Sequence, residues 1–118
     1  MSQTILVVDD SMVSRIMLKT IIESYNPKAD IIEANSGEQA LNKLDSDSKV
    51  DIALIDFNMP GMDGLELINQ LEAVLAIPKR ALLTANIQNE IKEKTTQAGV
   101  TFLNKPIIED VVLGFLNN

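Results

Sequence analysis

Residues 51–64 read DIALIDFNMPGMDG, an apolar run that stops on an aspartate, Asp56, and is followed at once by turn residues. The run has the length and composition of a strand that is buried on both faces, as in a parallel sheet. A carboxylate at the rim of an apolar core is costly to desolvate unless another group pairs with it. Asp56 is therefore predicted to have either a capping role or a chemical one.

Short apolar runs alternate with longer amphipathic segments along the chain, which predicts five strand-then-helix units. Parallel strands need crossover connections, so the pattern indicates an α/β fold, a doubly wound, flavodoxin-like parallel sheet of five strands in the order 2-1-3-4-5 with five flanking helices. A single domain over residues 1–118 is expected. The strands are predicted at residues 4–8, 29–33, 51–55, 80–84 and 100–103, and the helices at residues 13–25, from Ser36, and at residues 64–76, 88–97 and 107–116. The first helix is predicted from the helical spacing of Val13, Ile16, Met17, Ile21 and Ile22.

The composition excludes several classes of function. The net charge of -7 argues against direct nucleic-acid binding, because phosphate contacts need clustered Lys and Arg. The chain has no Cys and no His, which excludes thiol catalysis, a serine-type triad and imidazole metal ligands, so a bound metal would be a hard ion with oxygen ligands. It has neither a signal peptide nor an apolar run near the roughly 20 residues of a membrane span. A cytoplasmic location without membrane insertion is expected.

Polar residues follow four of the predicted strands. Each has a structural explanation when taken alone, such as a helix cap for Asp10 or turn chemistry for Asp56. Together they are expected to share one crevice, because ligands of such sheets bind at the carboxyl ends of the strands. Three carboxylates there would raise each other's pKa unless a divalent cation such as Mg²⁺ binds, and one of them would then serve as a nucleophile toward phosphorus. The set consists of Asp9, Asp10, Asp56, Thr84 and Lys105.

Four motifs in order, LVVDD, LIDFNMPGMDG, LLTA and FLNKP, resemble the receiver domain of two-component response regulators of the CheY type. The resemblance covers essentially the whole chain, from about Thr4 to Leu116. It implies that Asp56 accepts a phosphoryl group from a sensor histidine kinase, a phosphotransfer protein or a small phosphodonor. On this interpretation the protein is a signalling phosphoacceptor and not an enzyme with other substrates, since it catalyses only its own phosphorylation and slow dephosphorylation.

The resemblance also implies a metal site. Asp9, Asp10, Asp56 and the main-chain carbonyl of Asn58 would bind Mg²⁺, for which Mn²⁺ would substitute. The side chains of Asn58 and Asn86 would influence how fast the aspartyl-phosphate hydrolyses.

The resemblance further implies how phosphate becomes a signal. Thr84 and Lys105 would contact the phosphoryl group, and the bond from Lys105 to Pro106 is a candidate cis peptide. Thr84 would move with Phe102 as a switch, although Phe102 as a plain core residue stays an open alternative. The surface built from the fourth helix, fifth strand and fifth helix would then change its affinity for a downstream protein.

The sequence alone leaves several alternatives open. The chain could be a stand-alone receiver, as in chemotaxis or a phosphorelay, or part of a longer regulator, and either a monomer or a phosphorylation-linked dimer. A flavin-binding electron carrier would need a hydroxyl- and Gly-rich phosphate loop where this chain has DDSMVS. An aspartate-nucleophile phosphatase would need a D-x-D motif, whereas Asp9 and Asp10 are adjacent. A degenerate receiver that only binds partners is a third alternative. Nothing in the sequence favours it, because every expected active-site residue is present.

Overall fold

A computed structural model describes residues 3–85 and 99–118. Its strands form one parallel sheet in the order β2-β1-β3-β4-β5, which confirms the predicted fold class and strand order. The predicted fourth helix (residues 88–97) and Asn86 lie outside the described residues. The strands are β1 (Thr4–Val8), β2 (Asp30–Ala34), β3 (Ile52–Asp56), β4 (Lys79–Thr84) and β5 (Thr101–Asn104). The described helices are α1 (Met12–Tyr25), α2 (Gly37–Lys43), α3 (Gly64–Glu72) and the C-terminal helix (Glu109–Asn117).

The sheet is covered on both faces, which explains why its central strands are continuous apolar runs. Alternate residues of β1 enter different apolar clusters because successive side chains of a strand point to opposite faces. Leu6 and Val8 pack in the cluster that contains buried residues of α2 and α3. Ile5 and Val7 pack in the cluster that contains buried residues of α1 and the C-terminal helix.

Three of the described helices, α1, α2 and α3, begin with a side-chain cap. The side-chain oxygens of Ser11, Ser36 and Asp63 accept hydrogen bonds from the main-chain N–H groups of Ser14, Gln39 and Glu66. Such caps satisfy N–H groups that have no partner within the helix. In the part of the chain that the structure describes, no helix is both long and apolar enough to cross a membrane.

The buried face of α1 differs from the apolar stripe on which the prediction of this helix was based. Val13 is 67% exposed, Ile16 52% and Met17 42%, whereas Ile21 and Ile22 are buried. The helix carries two apolar sets, and the one that packs on the sheet is formed by Leu18, Ile21 and Ile22. The spacing therefore predicted the helix correctly, but only the last two residues of the stripe face the core.

Candidate functional site

The structure brings four of the predicted site residues together at the carboxyl edge of the sheet. Asp9 directly follows β1, Asp56 ends β3, Thr84 ends β4 and Lys105 directly follows β5. Asp9, Asp56 and Thr84 are almost fully buried, with 1%, 4% and 0% of their surface exposed. Asp10, the fifth residue of the predicted set, is exposed beside them. Polar groups this deeply buried need partners, and those partners define the site.

Lys105 bridges the two buried carboxylates. Its ammonium nitrogen lies 3.0 Å from Oδ2 of Asp9 and 3.3 Å from Oδ1 of Asp56. Burial by itself lowers the pKa of Lys105, but the hydrogen bond to Asp9 and the charges of Asp56 and Asp9 outweigh it, so the pKa is raised. The main-chain N–H of Lys105 donates to the carbonyl of Thr84 at 2.9 Å, and the peptide bond from Lys105 to Pro106 is cis, as the resemblance implies.

The buried position of Asp56 changes the proton affinity of its carboxylate. Burial, and next the negative charge of Asp9, raise the pKa of Asp56 to about 6, against the opposing effect of the Lys105 ammonium. The group therefore titrates just below neutral pH. Above this value it is an ionised carboxylate held in a largely dry position.

The three acidic side chains have the arrangement of a hard-cation site. Asp9, Asp10 and Asp56 each offer a carboxylate oxygen, and these three oxygens lie within 4.8 Å of one another. Carboxylate oxygens are ligands that Mg²⁺ and Mn²⁺ favour. The donor set therefore fits a divalent metal ion of this type, with Asp10 as its solvent-facing member.

Asn58 contacts the site through its side chain. Its amide nitrogen donates a 2.9 Å hydrogen bond to the hydroxyl oxygen of Thr84. This bond joins the loop after β3 to the end of β4. The role of the Asn58 carbonyl as a metal ligand stays a prediction.

Gly64 lets α3 begin directly against the end of β3, and the sequence interpretation did not single it out. A Cβ atom at this position would lie 2.5 Å from the main-chain oxygen of Asp56 and 2.8 Å from Cδ2 of Leu82. The turn before it passes through Gly61 with φ of 79°, a conformation that favours glycine. The glycines of the opening stretch are therefore part of the site's geometry. The Asp-Gly pair at positions 63 and 64 was the sequence signal that could have identified Gly64.

Arg15 is a second residue that sequence reasoning missed. From the first turn of α1 it reaches back to the main-chain carbonyl of Asp9, to which Nη1 donates at 2.6 Å. Its Nε donates to Glu33 Oε1 on β2 at 2.9 Å. The contacts join α1 to β2 and to the residue that follows β1, so no local sequence motif predicts them.

Comparison with known proteins decides the family. The statistical model of the response regulator receiver domain matches residues 5–116. The chain belongs to this family. The receiver domain is 34% identical over 110 residues to the chemotaxis protein CheY of Listeria monocytogenes, covering 92% of this chain and 91% of that one. It superimposes on the chemotaxis protein CheY4 of Vibrio cholerae with a TM-score of 0.85 and 26% identity, covering 99% of this chain and 98% of that one.

Other relatives of this receiver domain are larger proteins. It is 34% identical over 106 residues to the cyclic di-GMP phosphodiesterase response regulator RpfG of Xanthomonas campestris, covering 87% of this chain and 28% of RpfG. It is 38% identical over 111 residues to the sensor protein EvgS of Escherichia coli, covering 92% of this chain and 9% of EvgS. Receiver domains of this kind therefore occur both in a response regulator and in a sensor protein.

Phe102 of the receiver domain lies in β5, in register with Leu82 of β4. Its side chain is partly buried, between the exposed Thr101 and the buried Leu103. This position is compatible with the predicted switch role of Phe102 and also with a role as an ordinary core residue. The switch role of Phe102 and Thr84 stays a prediction.

Proposed function

We propose that this receiver domain is a phosphoacceptor in which Asp56 takes a phosphoryl group from a phosphohistidine of a sensor kinase or phosphotransfer protein, or from a small phosphodonor. The observation that carries the proposal is the buried Asp56 carboxylate, 3.3 Å from the Lys105 ammonium and grouped with two further carboxylates. Burying two carboxylates, Asp9 and Asp56, next to a third one costs stability, which indicates a role beyond folding.

The proposed transfer needs Asp56 ionised, because the attacking electron pair belongs to a carboxylate oxygen. A pKa of about 6 leaves Asp56 mostly ionised at neutral pH. A P–O bond forms to this oxygen while the P–N bond of the phosphohistidine breaks. The electron pair of that bond stays on the imidazole, which leaves as the neutral ring if its other nitrogen carries a proton.

The remaining residues position and neutralise the phosphoryl group. Lys105, whose raised pKa keeps it protonated, would pair with a phosphoryl oxygen in addition to Asp56. The hydroxyl group of Thr84 would donate a hydrogen bond to another phosphoryl oxygen. Asp9, Asp10 and Asp56 would hold Mg²⁺ or Mn²⁺, which supplies positive charge for the phosphoryl oxygens as phosphoryl transfer commonly requires.

An exposed apolar surface beside the site supports a protein as donor. The α1 apolar surface, defined as Met12, Val13, Ile16 and Met17, begins one residue after the cap Ser11, and all four side chains are more than 40% exposed. Two of these residues, Ile16 and Met17, also line a groove of about 400 Å³ whose other wall includes Ile107. Clustered exposed apolar residues commonly mark protein interfaces. We propose that the phosphodonor protein docks here, next to the edge at which Asp56 is reached.

The proposed output is a change of surface. A phosphoryl group adds about two negative charges and three acceptor oxygens to the site. Reorientation of Thr84 would break its bond to Asn58 and alter the packing of β5 near Phe102. The surface that includes β5, the C-terminal helix and the predicted fourth helix would then bind a downstream protein. On this proposal the domain acts only on its own aspartate, and its slow dephosphorylation ends the signal.

Intact mass spectrometry tests the phosphoacceptor proposal. The protein is incubated with acetyl phosphate, with Mg²⁺ or with excess chelator, beside an Asp56→Asn variant. The expected result is one added phosphoryl group that requires both Mg²⁺ and Asp56. Absence of the adduct, together with failure of beryllofluoride to bind, would contradict the proposal, because beryllofluoride binding does not depend on the lifetime of a phosphoryl group.

A further inference from the structure

All four polar groups of Asp9 have hydrogen-bond partners, and one of the partners is Arg15 in the first turn of α1. The main-chain N–H donates to the carbonyl of Ala34 at 3.1 Å. The carboxylate accepts from the N–H of Ser11 at 2.9 Å and from the ammonium of Lys105 at 3.0 Å. The main-chain carbonyl accepts from Nη1 of Arg15 at 2.6 Å. Asp9 is thereby fixed in its backbone as well as in its side chain.

Arg15 is itself held in place by β2. Its Nε donates to Oε1 of Glu33 at 2.9 Å, and only 13% of its side chain is exposed. Glu33 also pairs with Lys19 at 3.1 Å. The hydrogen bonds from Lys19 and then Arg15 lower the pKa of Glu33, so it stays ionised at neutral pH. We call the contacts from Glu33 through Arg15 to the Asp9 carbonyl the Arg15 bridge.

From this geometry we propose that Arg15 is a positioning residue for the metal site, a role that rests on the proposed function. The carbonyl of Asp9 belongs to the peptide group that joins Asp9 to Asp10. Fixing the carbonyl fixes the plane of this rigid peptide group. The hydrogen bond from the N–H of Ser11 to Oδ1 of Asp9 restrains the next peptide group. With the peptide groups on both sides of Asp10 held, the direction in which its side chain leaves the backbone is set. Asp10 is exposed, so its direction is set by the backbone more than by packing. The Arg15 bridge thus holds the outermost carboxylate of the cluster in place.

The direction in which metal affinity changes when Arg15 is replaced distinguishes a positioning role from a purely electrostatic one. Arg15 is a cation near three carboxylates, so removing only its charge would strengthen the binding of a metal cation. Losing the orientation of Asp10 would weaken that binding. Second-layer hydrogen-bond partners of metal ligands commonly change metal affinity by about 10- to 100-fold when removed. A weaker affinity in an Arg15 variant can therefore not arise from the lost charge.

The test measures Mn²⁺ affinity directly, from the free Mn²⁺ signal in electron paramagnetic resonance, without any phosphoryl transfer. Arg15→Met is expected to weaken Mn²⁺ binding by about tenfold. Lys19→Met is the matched control, because it removes the other cation that pairs with Glu33 and leaves the Asp9 carbonyl untouched. It is expected to bind Mn²⁺ at least as tightly as the wild type. Arg15→Lys keeps the charge with a single donor group and is expected to bind with intermediate affinity.

A second readout concerns the backbone itself. The carbonyl ¹³C resonance of Asp9 in the metal-free protein is expected to shift in Arg15→Met and not in Lys19→Met. Should Arg15→Met fail to fold, Arg15→Lys replaces it, because this variant keeps the positive charge, so a weaker Mn²⁺ affinity would arise from the altered contacts of residue 15. Wild-type affinity in the folded variants would overturn the positioning role alone. Failure of the wild-type protein to bind Mn²⁺ would overturn the proposed metal site and the positioning role with it.

Discussion

The Lys105 ammonium lies 3.3 Å from the Asp56 carboxylate, so that the end of β3 and the turn after β5 share one ion pair. The same ammonium contacts Asp9 at 3.0 Å. One cation between two buried anions leaves an excess of negative charge, which the exposed Asp10 increases. The site is therefore electrostatically incomplete without a cation, and several measurable consequences arise from this charge balance.

Asp56→Asn is expected to stabilise the metal-free protein at neutral pH. The folded state raises the pKa of Asp56 from its ordinary value of 3.8 to about 6. The folded state thus binds more protons between these values, so the free energy of unfolding of the wild type falls as pH rises through this window. A shift of about two pKa units corresponds to about 3 kcal/mol. Urea unfolding in chelator should show the variant more stable at pH 7.5, by on the order of 2 kcal/mol, and this advantage should disappear near pH 4.

The control for this comparison is Glu23→Gln, a substitution of an exposed carboxylate on α1. It is expected to change stability by less than about 0.5 kcal/mol. Equal stability of Asp56→Asn and wild type at pH 7.5 would contradict the raised pKa of Asp56.

Lys105→Met is expected to raise the pKa of Asp56 further, because it removes the positive charge that favours the ionised carboxylate. It is also expected to slow phosphorylation by acetyl phosphate, since an anionic donor would then approach a more negative site. The carboxyl ¹³C chemical shift of Asp56 followed against pH gives its pKa. A pKa at or below that of the wild type would show that the observed 3.3 Å ion pair does not govern Asp56.

Gly64→Ala is expected to destabilise the protein and to disturb the site. The added Cβ would meet the main-chain oxygen of Asp56 at 2.5 Å, and backbone cannot give way as a flexible side chain does. Overpacking of this type costs about 1 to 3 kcal/mol. Because the displaced atom belongs to Asp56, phosphorylation by acetyl phosphate should slow as well.

The matched control is Gly114→Ala in the C-terminal helix, where a Cβ would meet nothing within 4 Å. Alanine favours a helix over glycine, so this variant should be more stable by about 0.5 to 1 kcal/mol. Urea unfolding of the two variants side by side checks both expectations. If Gly64→Ala were as stable as Gly114→Ala, the close approach of α3 to Asp56 would be wrong.

Ile16→Ser is expected to impair phosphoryl transfer from a phosphorylated histidine phosphotransfer protein without slowing phosphorylation by acetyl phosphate. Ile16 is 52% exposed on the α1 apolar surface, so its loss should affect docking more than folding. Loss of about 1.4 kcal/mol of docking energy lowers the affinity for the donor about tenfold. Radiolabel transfer at donor concentrations below saturation measures this effect.

Val74→Ser is the control for the docking prediction, because Val74 is comparably exposed, at 41%, beyond the far end of α3. It should leave both reactions unchanged. Donor docking on α1 would be contradicted if Ile16→Ser accepted the phosphoryl group from the protein donor at the wild-type rate. An equally large decrease in the rate of phosphorylation by acetyl phosphate would also contradict it.

Much of the fold could be predicted from the sequence because its strands are buried on both faces. β1 was predicted with its observed bounds, Thr4–Val8. β5 was predicted one residue early. Its bounds depend on pairing with β4, and this pairing runs from Thr101 beside Ala81 to Asn104 beside Thr84. The local sequence does not show this pairing. Convergence of the polar strand ends was predicted by topology alone.

Other features depend on contacts between distant segments and could not be read locally. The helical spacing of apolar residues predicted α1, but only the packed structure shows that Val13 and Ile16 face outward. Arg15 looked like an ordinary charged helix residue, yet its guanidinium joins the Asp9 carbonyl to Glu33 of β2. Periodicity thus predicts elements, whereas the residues that orient a site become visible only when those elements are assembled.

The most direct test of Asp56 as the phosphoacceptor is to locate the phosphoryl group chemically. The protein is phosphorylated with acetyl phosphate and Mg²⁺ and reduced with borohydride, which converts an aspartyl-phosphate to homoserine, and its peptides are sequenced by mass spectrometry. We expect homoserine at position 56 and not at Asp9 or Asp10, although their carboxylate oxygens lie within 4.8 Å of that of Asp56. Homoserine at position 9 or 10, or a phosphorylated protein without homoserine at position 56, would contradict the account.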